Sequence, residues 1–276
     1  MKTVSLPGGE RVPALGMGSW MMGEVAANRA KELAALRAGL DAGLSLIDTA
    51  EMYGDGEAER LIGEAIEGRR DEVFLVSKVY PFNAGRRAML KACEQSLQRL
   101  GTDRLDAYLL HWPGSVPLDE TLEAFERLQR DGKIRYWGVS NFDAEGMEEV
   151  IAAGSGLPVC NQVLYNLGRR GIEWDLQPWL REQGIPLMAY SPLEQARLLR
   201  QRELLALAAS LDATPAQLAL AWLLRHDGCI VIPKASSPAR VEENAAALAL
   251  KLDAATLERL DHIFPPPSAP TPLEML

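Results

Sequence analysis

The chain places a polar residue able to do chemistry after most of its short apolar runs. Leu44 to Ile47 leads into Asp48-Thr49-Ala50-Glu51-Met52-Tyr53, Val73 to Val79 carries Ser77-Lys78, and Leu105 to Leu110 leads into His111-Trp112-Pro113. Ile134 to Val139 is followed by Ser140-Asn141, Val159 to Val163 contains Asn161-Gln162, Pro186 to Tyr190 precedes Ser191-Pro192, and Cys229 to Ile232 precedes Pro233-Lys234. Singly, each has an ordinary explanation: an aspartate after a strand shapes a turn, a lone lysine is solvated, and a histidine between apolar neighbours packs. Brought together, Asp, Lys, Tyr and His have a joint chemistry. Tyrosine, with a pKa of about 10, is a weak acid at neutral pH, and a neighbouring ammonium favours its phenolate. A tyrosine tuned in this way can protonate an oxygen that becomes an alkoxide, while a histidine orients the same oxygen. A lysine in a dry site needs a counter-ion, which Asp48 can supply. None of these side chains supplies electrons, so a cofactor must bring a hydride. Three histidines, His111, His226 and His262, do not make a His-rich metal site, and no metal is expected.

The elements that must position these groups follow a rhythm. Eight apolar runs, the seven above and Leu15 to Trp20, alternate with helical stretches. Continuous apolar runs of this length suit strands buried on both faces of a parallel sheet. Spacings of three and four predict helices over 29–42, 84–100, 118–130, 200–211, 216–225 and 253–263. Thr214-Pro215 supplies an N-cap followed by proline at the first helical position. Val4 to Leu6, Pro7-Gly8-Gly9 and Arg11 to Ala14 predict an N-terminal β-hairpin, and Pro265 to Pro272 a surface tail. The pattern predicts an α/β fold, a single (β/α)8 TIM barrel with an N-terminal hairpin and a short C-terminal tail, forming one domain over 1–276. The open doubly wound alternative needs a Gly-rich fingerprint after the first strand. Gly16-Met17-Gly18-Ser19-Trp20 lacks the third glycine and opens no helix.

The chain has 276 residues, 29 basic against 38 acidic, and a formal charge of −9, which argues against nucleic acid or an anionic membrane as partner. Three widely spaced cysteines (Cys93, Cys160 and Cys229) fit reduced thiols better than a disulfide framework. With no signal-like segment at the start, the expected location is the cytoplasm.

The segments Gly43 to Ala50 with Tyr53-Gly54, Val76-Ser77-Lys78, Leu109 to Pro113, Gly138 to Phe142, Asn161-Gln162, Tyr190 to Leu193 and Ile232-Pro233-Lys234, followed by Arg240 and Glu243-Asn244, occur in an order that resembles the aldo-keto reductases along nearly the whole chain. The wording Asp48 to Tyr53, Lys78-Val79-Tyr80-Pro81 and Asn161 to Tyr165 is similar to bacterial methylglyoxal reductases of that family. The resemblance implies a tetrad of Asp48, Tyr53, Lys78 and His111. Tyr53 would be the proton donor, Lys78 would lower its pKa, Asp48 would hold Lys78, and His111 would position the carbonyl. It implies NADPH as hydride donor, with NADH possible, and small aldehydes and dicarbonyls such as methylglyoxal as substrates, with no obligate protein partner.

By the same resemblance Ser140, Asn141 and Gln162 would hold the nicotinamide carboxamide and Tyr190 would stack under the ring. Ser191, Pro192 and Leu193 would line the pyrophosphate, Lys234, Ser237 and Arg240 would grip the 2′-phosphate, and Glu243 and Asn244 would meet the adenine. Trp20, Tyr80 and Trp112, with His111, would line the substrate pocket, and a short tail would leave its mouth open. Ala235 stands where many members have Ser or Thr, which weakens the expected preference for NADPH. Ser45 stands where many have Arg, and the loop from Tyr53 to Leu61 is a little longer than in some members. Two other readings compete: a catalytically weak NADP(H)-binding sensor on the same barrel, and a hydrolase using paired carboxylates such as Asp48 and Glu51.

Overall fold

The computed structural model describes residues 2–154 and 156–276. A two-stranded antiparallel hairpin, β1 (Thr3–Ser5) and β2 (Arg11–Pro13), pairs Val4 with Val12 across a turn in which Gly9 takes a positive φ of 85°. Eight strands follow: β3 (Met17–Gly18), β4 (Leu46–Asp48), β5 (Phe74–Val79), β6 (Leu105–Leu110), β7 (Ile134–Ser140), β8 (Asn161–Leu164), β9 (Leu187–Tyr190) and β10 (Cys229–Val231). Each pairs in parallel with the next in sequence. Bridges Leu15 to Val231 and Gly18 to Lys234 close the seam between first and last, where the Gly16 and Gly18 N–H groups donate to Val231 O (2.9 Å) and Pro233 O (3.1 Å). The seam explains the glycines that resembled half a nucleotide fingerprint. A Cβ on Gly18 would sit 2.8 Å from Ile232 O, and one on Gly16 would sit 2.7 Å from Leu46 O.

Every residue of β5 and β6 is buried, because one face fills the barrel and the other meets the helices. The surrounding helices are α1 (Arg29–Asp41), α2 (Glu57–Ala65), α3 (Arg86–Leu100), α4 (Leu118–Arg130), α5 (Ala144–Ala152), α6 (Leu176–Gln183), α7 (Arg202–Ser210), α8 (Pro215–Leu224), α9 (Pro238–Ala246) and α10 (Ala254–Ile263). In α4, Leu122, Phe125 and Leu128 form the buried stripe. Asp119 and Glu120 in its first turn and Arg127 and Arg130 in its last complement the helix dipole. Thr214 and Gln217 cap α8 reciprocally, as Thr214-Pro215 predicted. The Tyr53 to Leu61 segment is not a loop throughout. It is a tight passage with Gly54, Asp55 and Gly56 at positive φ, followed by α2 from Glu57.

The hairpin covers the N-terminal end of the barrel. Glu10 accepts from Arg135 Nη2 and from the Tyr136 hydroxyl at the start of β7, both at 2.7 Å, and Lys2 Nζ donates to Leu224 O at 2.8 Å. The opposite, C-terminal end is left for the polar residues that follow the strands. Among the described residues no single helix is long and apolar enough to cross a membrane.

Candidate active site

Lys78, the fifth residue of β5, points into the barrel and is fully buried. Its ammonium has three hydrogens, and three acceptors meet them: the Asp48 carboxylate at 2.8 Å, Thr49 O at 2.8 Å and the Tyr53 hydroxyl oxygen at 3.1 Å. Asp48 ends β4, the strand beside β5, and Tyr53 follows in a short helical turn that returns its ring over the lysine, 4.8 Å from Nζ to the ring centre. On the other face of β5, Ser77 donates at 2.6 Å to Glu59, buried on α2, which also accepts from Arg99 Nε at 2.6 Å. The strand that carries Lys78 is thereby fixed from outside the barrel.

Electrostatics assigns the protonation states. Burial pushes the Tyr53 phenol above the ordinary value, while Lys78 pulls it back. Lys78 acts in the expected direction, lowering the phenol's pKa, but desolvation of the phenolate is the larger effect. Burial works against the Lys78 ammonium, but Asp48 and Tyr53 facing it hold it above the usual lysine value. Burial also lifts the Asp48 carboxyl, against the pull of Lys78 and of Gln162, whose Nε2 donates to Asp48 at 2.8 Å. Burial, and then Lys78, lower His111 to about 2, so its imidazole is neutral at any working pH. Its Nδ1 is buried with no partner.

Because Lys78 donates to the Tyr53 oxygen, the Tyr53 O–H hydrogen is free to point elsewhere. The His111 ring stands edge-on to Tyr53, with centroids 5.9 Å apart. Trp112 lies 4.9 Å from His111, Tyr80 meets Trp112 edge-on at 5.9 Å, and Phe82 stacks on Tyr80 at 4.5 Å. A chain of aromatic rings thus runs outward from Tyr53. Tyr80 and Trp112 are brought together in it, and Phe82, which the sequence reading did not single out, joins them. Trp20 is 40% exposed and joins no ring contact among the described residues. Glu51 does not pair with Asp48. It turns to the loop after β5, which removes the carboxylate pair that a hydrolase reading requires.

The residues expected around the nicotinamide converge beside the tetrad. Ser140 donates to Gln162 O at 2.8 Å, and Asn141 Nδ2 donates to His111 O at 3.0 Å and to Ser140 Oγ at 3.1 Å. The Tyr190 hydroxyl donates to Asn141 Oδ1 at 3.0 Å. Asn141 has a φ of +62°, a conformation that asparagine tolerates better than most residues. Ser191, Pro192 and Leu193 leave β9 toward a loop held by Glu194, which accepts from Asn166 at 2.8 Å and from Arg169 at 2.9 Å.

Further round the rim, Lys234 and Arg240 are exposed and flank the start of α9. Ser237 caps that helix without spending its hydroxyl on it, and Pro238 opens the first turn. A helix N-terminus with two cations and a free hydroxyl fits a phosphate. Arg240 pairs with Glu243 at 2.6 Å, and Asn244 is buried behind them. Ala235 offers no hydroxyl here and packs against the core. The observed donors therefore fit a phosphorylated nicotinamide cofactor.

The tail returns to the barrel. Leu273 packs on the core and Glu274 pairs with Arg169 at 2.5 Å. Sequence reasoning missed this because Arg169 and Glu274 lie far apart in the chain and neither belongs to an apolar pattern. No group of three or more His, Cys, Asp or Glu side chains among the described residues is arranged to hold a metal.

Comparison with known proteins agrees with this geometry. The Aldo/keto reductase family matches residues 14–264. The chain is 50% identical to methylglyoxal reductase YeaE of Escherichia coli over 281 residues, covering 100% of this chain and 99% of that protein. It is 36% identical to the glyoxal reductase of Bacillus subtilis, covering 94% and 91%. Among solved structures, an aldo/keto reductase from Klebsiella pneumoniae in complex with NADP and acetate superposes with a TM-score of 0.96 at 52% identity, covering 100% and 99%. The protein belongs to the aldo/keto reductase family.

Proposed function

We propose that this enzyme reduces small aldehydes and dicarbonyls, methylglyoxal among them, to alcohols with NADPH, and that Asp48, Tyr53, Lys78 and His111 carry the chemistry. The observation that carries the reading is the Lys78 ammonium, placed 2.8 Å from Asp48 and 3.1 Å from the Tyr53 oxygen at the inner end of an aromatic wall. When bound, NADPH supplies the hydride. Ser140, Asn141, Gln162 and Tyr190 would hold its nicotinamide end, Ser191 to Leu193 its pyrophosphate, Lys234, Ser237 and Arg240 its 2′-phosphate, and Glu243 and Asn244 its adenine.

The chain's own residues do the rest. Tyr53 keeps its proton at neutral pH, as an ordinary phenol of pKa about 10 does and as burial reinforces, so it enters the reaction as an acid. As the carbonyl oxygen gains negative charge, Tyr53 passes it the O–H proton, and the phenolate left behind faces the Lys78 ammonium. Asp48 keeps Lys78 charged and aimed, which makes the phenolate accessible in a site otherwise hostile to it. Neutral His111 holds the carbonyl oxygen by a hydrogen bond and leaves proton donation to Tyr53. The wall of Tyr80 and Trp112 excludes water and suits small carbonyl compounds.

We place the enzyme in the cytoplasm, working as one barrel domain without an obligate partner. Three buried free cysteines suit a reducing compartment. The test is a panel of aldehydes, dicarbonyls and sugars with NADPH and NADH in parallel. Turnover of methylglyoxal with NADPH is the expected result. Tight NADPH binding with no turnover of any carbonyl would favour the sensor reading, and faster sugar turnover would displace the dicarbonyls.

A further inference from the structure

Glu51 lies between two tetrad residues, on the loop that joins Asp48 to Tyr53, yet it touches neither the Lys78 ammonium nor the Tyr53 hydroxyl. Its side chain crosses to the next βα loop. Oε1 accepts from Tyr80 N at 2.7 Å and from Asn83 Nδ2 at 3.1 Å, and its own N–H donates to Lys78 O at 3.3 Å. Tyr80 is the first residue beyond β5, where the strand ladder no longer supplies a partner for its N–H. Asn83 ends the short helical turn Pro81–Asn83. One carboxylate therefore pins both ends of the segment that presents Tyr80 and Phe82, and ties that segment to the loop bearing Tyr53. The position of the Tyr80 ring against Trp112, and through Trp112 against His111, depends on this clamp.

We infer that Glu51 is a positioning residue that sets which carbonyls fit, by fixing the aromatic wall relative to the proton donor. The inference rests on the carbonyl-reductase reading above. Acceptance at Oε1, not negative charge, is what the geometry requires, so Glu51→Gln keeps the clamp and Glu51→Ala removes it. Glu51→Asp draws the acceptor back by one methylene.

The experiment measures kcat and KM for methylglyoxal and for a bulky aromatic aldehyde, the Kd for NADPH and the pH dependence of kcat, in wild type and the three variants. Misplacing a substrate-positioning group by about 1 Å costs up to about 100-fold, so Glu51→Ala is expected to lower kcat/KM for methylglyoxal by about 10-fold or more, mainly through KM. The bulky aldehyde should lose less, shifting the specificity ratio by at least about 5-fold, with NADPH affinity and the pH profile unchanged. Glu51→Gln should stay within about 3-fold of wild type, and Glu51→Asp should fall between. If Glu51→Ala fails to fold, the Gln and Asp variants give the same ordering. Equal losses for both substrates, a shifted pH profile, or a Gln variant as impaired as Ala would overturn the role. Absence of wild-type turnover with NADPH would overturn the function itself, a failure distinct from an unchanged specificity ratio in an active enzyme.

Discussion

Each end of the barrel buries an aspartate against cations, and the two are satisfied differently. At the N-terminal end Asp106 accepts from Leu75 N at 2.9 Å, from Arg70 at 2.8 Å and from Arg135 at 2.8 Å, and Arg135 continues to Glu10. Two guanidiniums and a backbone N–H close that network on itself, and it links β5, β6 and β7 to the hairpin. At the C-terminal end Asp48 faces one ammonium, which also donates to a phenol whose proton is left free. Of the buried polar atoms without a partner among the described residues, Ser19 Oγ, Thr49 Oγ1 and His111 Nδ1 belong to residues that directly follow β3, β4 and β6. A closed network holds the fold together, whereas an open one keeps donors and acceptors available for a ligand. Arginine suits the first task, with its permanently charged planar fork, and lysine the second, as a point charge beside a titratable group.

The largest effect expected from this contrast is at Tyr53. Tyr53→Phe removes the proton together with one of the three acceptors of Lys78, so kcat should fall by about 100- to 10,000-fold and stability by about 1–3 kcal/mol, while NADPH binding stays near wild type. Stopped-flow NADPH oxidation with methylglyoxal measures it, and an active Phe variant would remove Tyr53 from the mechanism. The opposite end should show the opposite behaviour. Asp106→Ala leaves Arg70 and Arg135 without their buried acceptor. Discounted for the partial exposure of Arg135, the loss should be about 2–4 kcal/mol of stability, with kcat per folded molecule unchanged. Denaturant unfolding alongside activity reads both, and a kcat loss larger than the stability loss would break the division between the two ends.

Histidine sharpens the same comparison, because His111 is buried near one end and His226 half-buried near the other. His111 is lowered to about 2 by burial and then Lys78, and His226, beside the Tyr165 hydroxyl at 3.1 Å, to about 4 by burial and then nearby arginines. Both are neutral in the folded enzyme. Their stability contribution is therefore whole above the unfolded-chain value of about 6.5 and is lost as pH falls toward the folded values, by up to about 1.4 kcal/mol per pH unit for each. His226→Gln should flatten the fall in unfolding free energy between pH 6.5 and 5 by about half. The kcat of wild type should show no limb between pH 5 and 8. A limb in that range that vanishes in His111→Gln would mean that the His111 imidazole titrates despite its burial.

Much of the barrel was legible because strands buried on both faces read as unbroken apolar runs. β5 and β6 are the clearest cases, and the polar residue after each run marked the mouth. The convergence of Asp48, Tyr53, Lys78 and His111 was legible for the same reason. Helices α5, α6 and α9 were not, because each buries only two side chains: Met147 and Val150, Leu176 and Leu180, and Val241 and Asn244. Two contacts in eight or nine residues make no period. α2 does have an apolar face, but the three left-handed residues before it read as a continuing loop. The direction of Glu51 and the return of the tail to Arg169 depend on contacts between loops, which no local pattern encodes.

The smallest effect lies in the loop that follows β9, where the two ends meet in kind: a closed network sits at the functional end. Glu194 is buried and held by Asn166 and Arg169, and to reach them the chain takes three successive positive φ values, 48° at Glu194, 53° at Gln195 and 67° at Ala196. None of the three is glycine, so each stores strain of about 1–2 kcal/mol in a conformation that a Cβ disfavours. At Ala196 the side chain gives little in return. Ala196→Gly relieves the clash but adds about 0.5–1 kcal/mol of unfolded-state entropy, so the net gain should be a few tenths to about 1 kcal/mol. Chemical denaturation resolves a change of that size. Unchanged or lower stability would show that the left-handed run costs the fold nothing. A gain in stability with weaker NADPH binding would show that the strain serves to hold the loop in its cofactor-ready form.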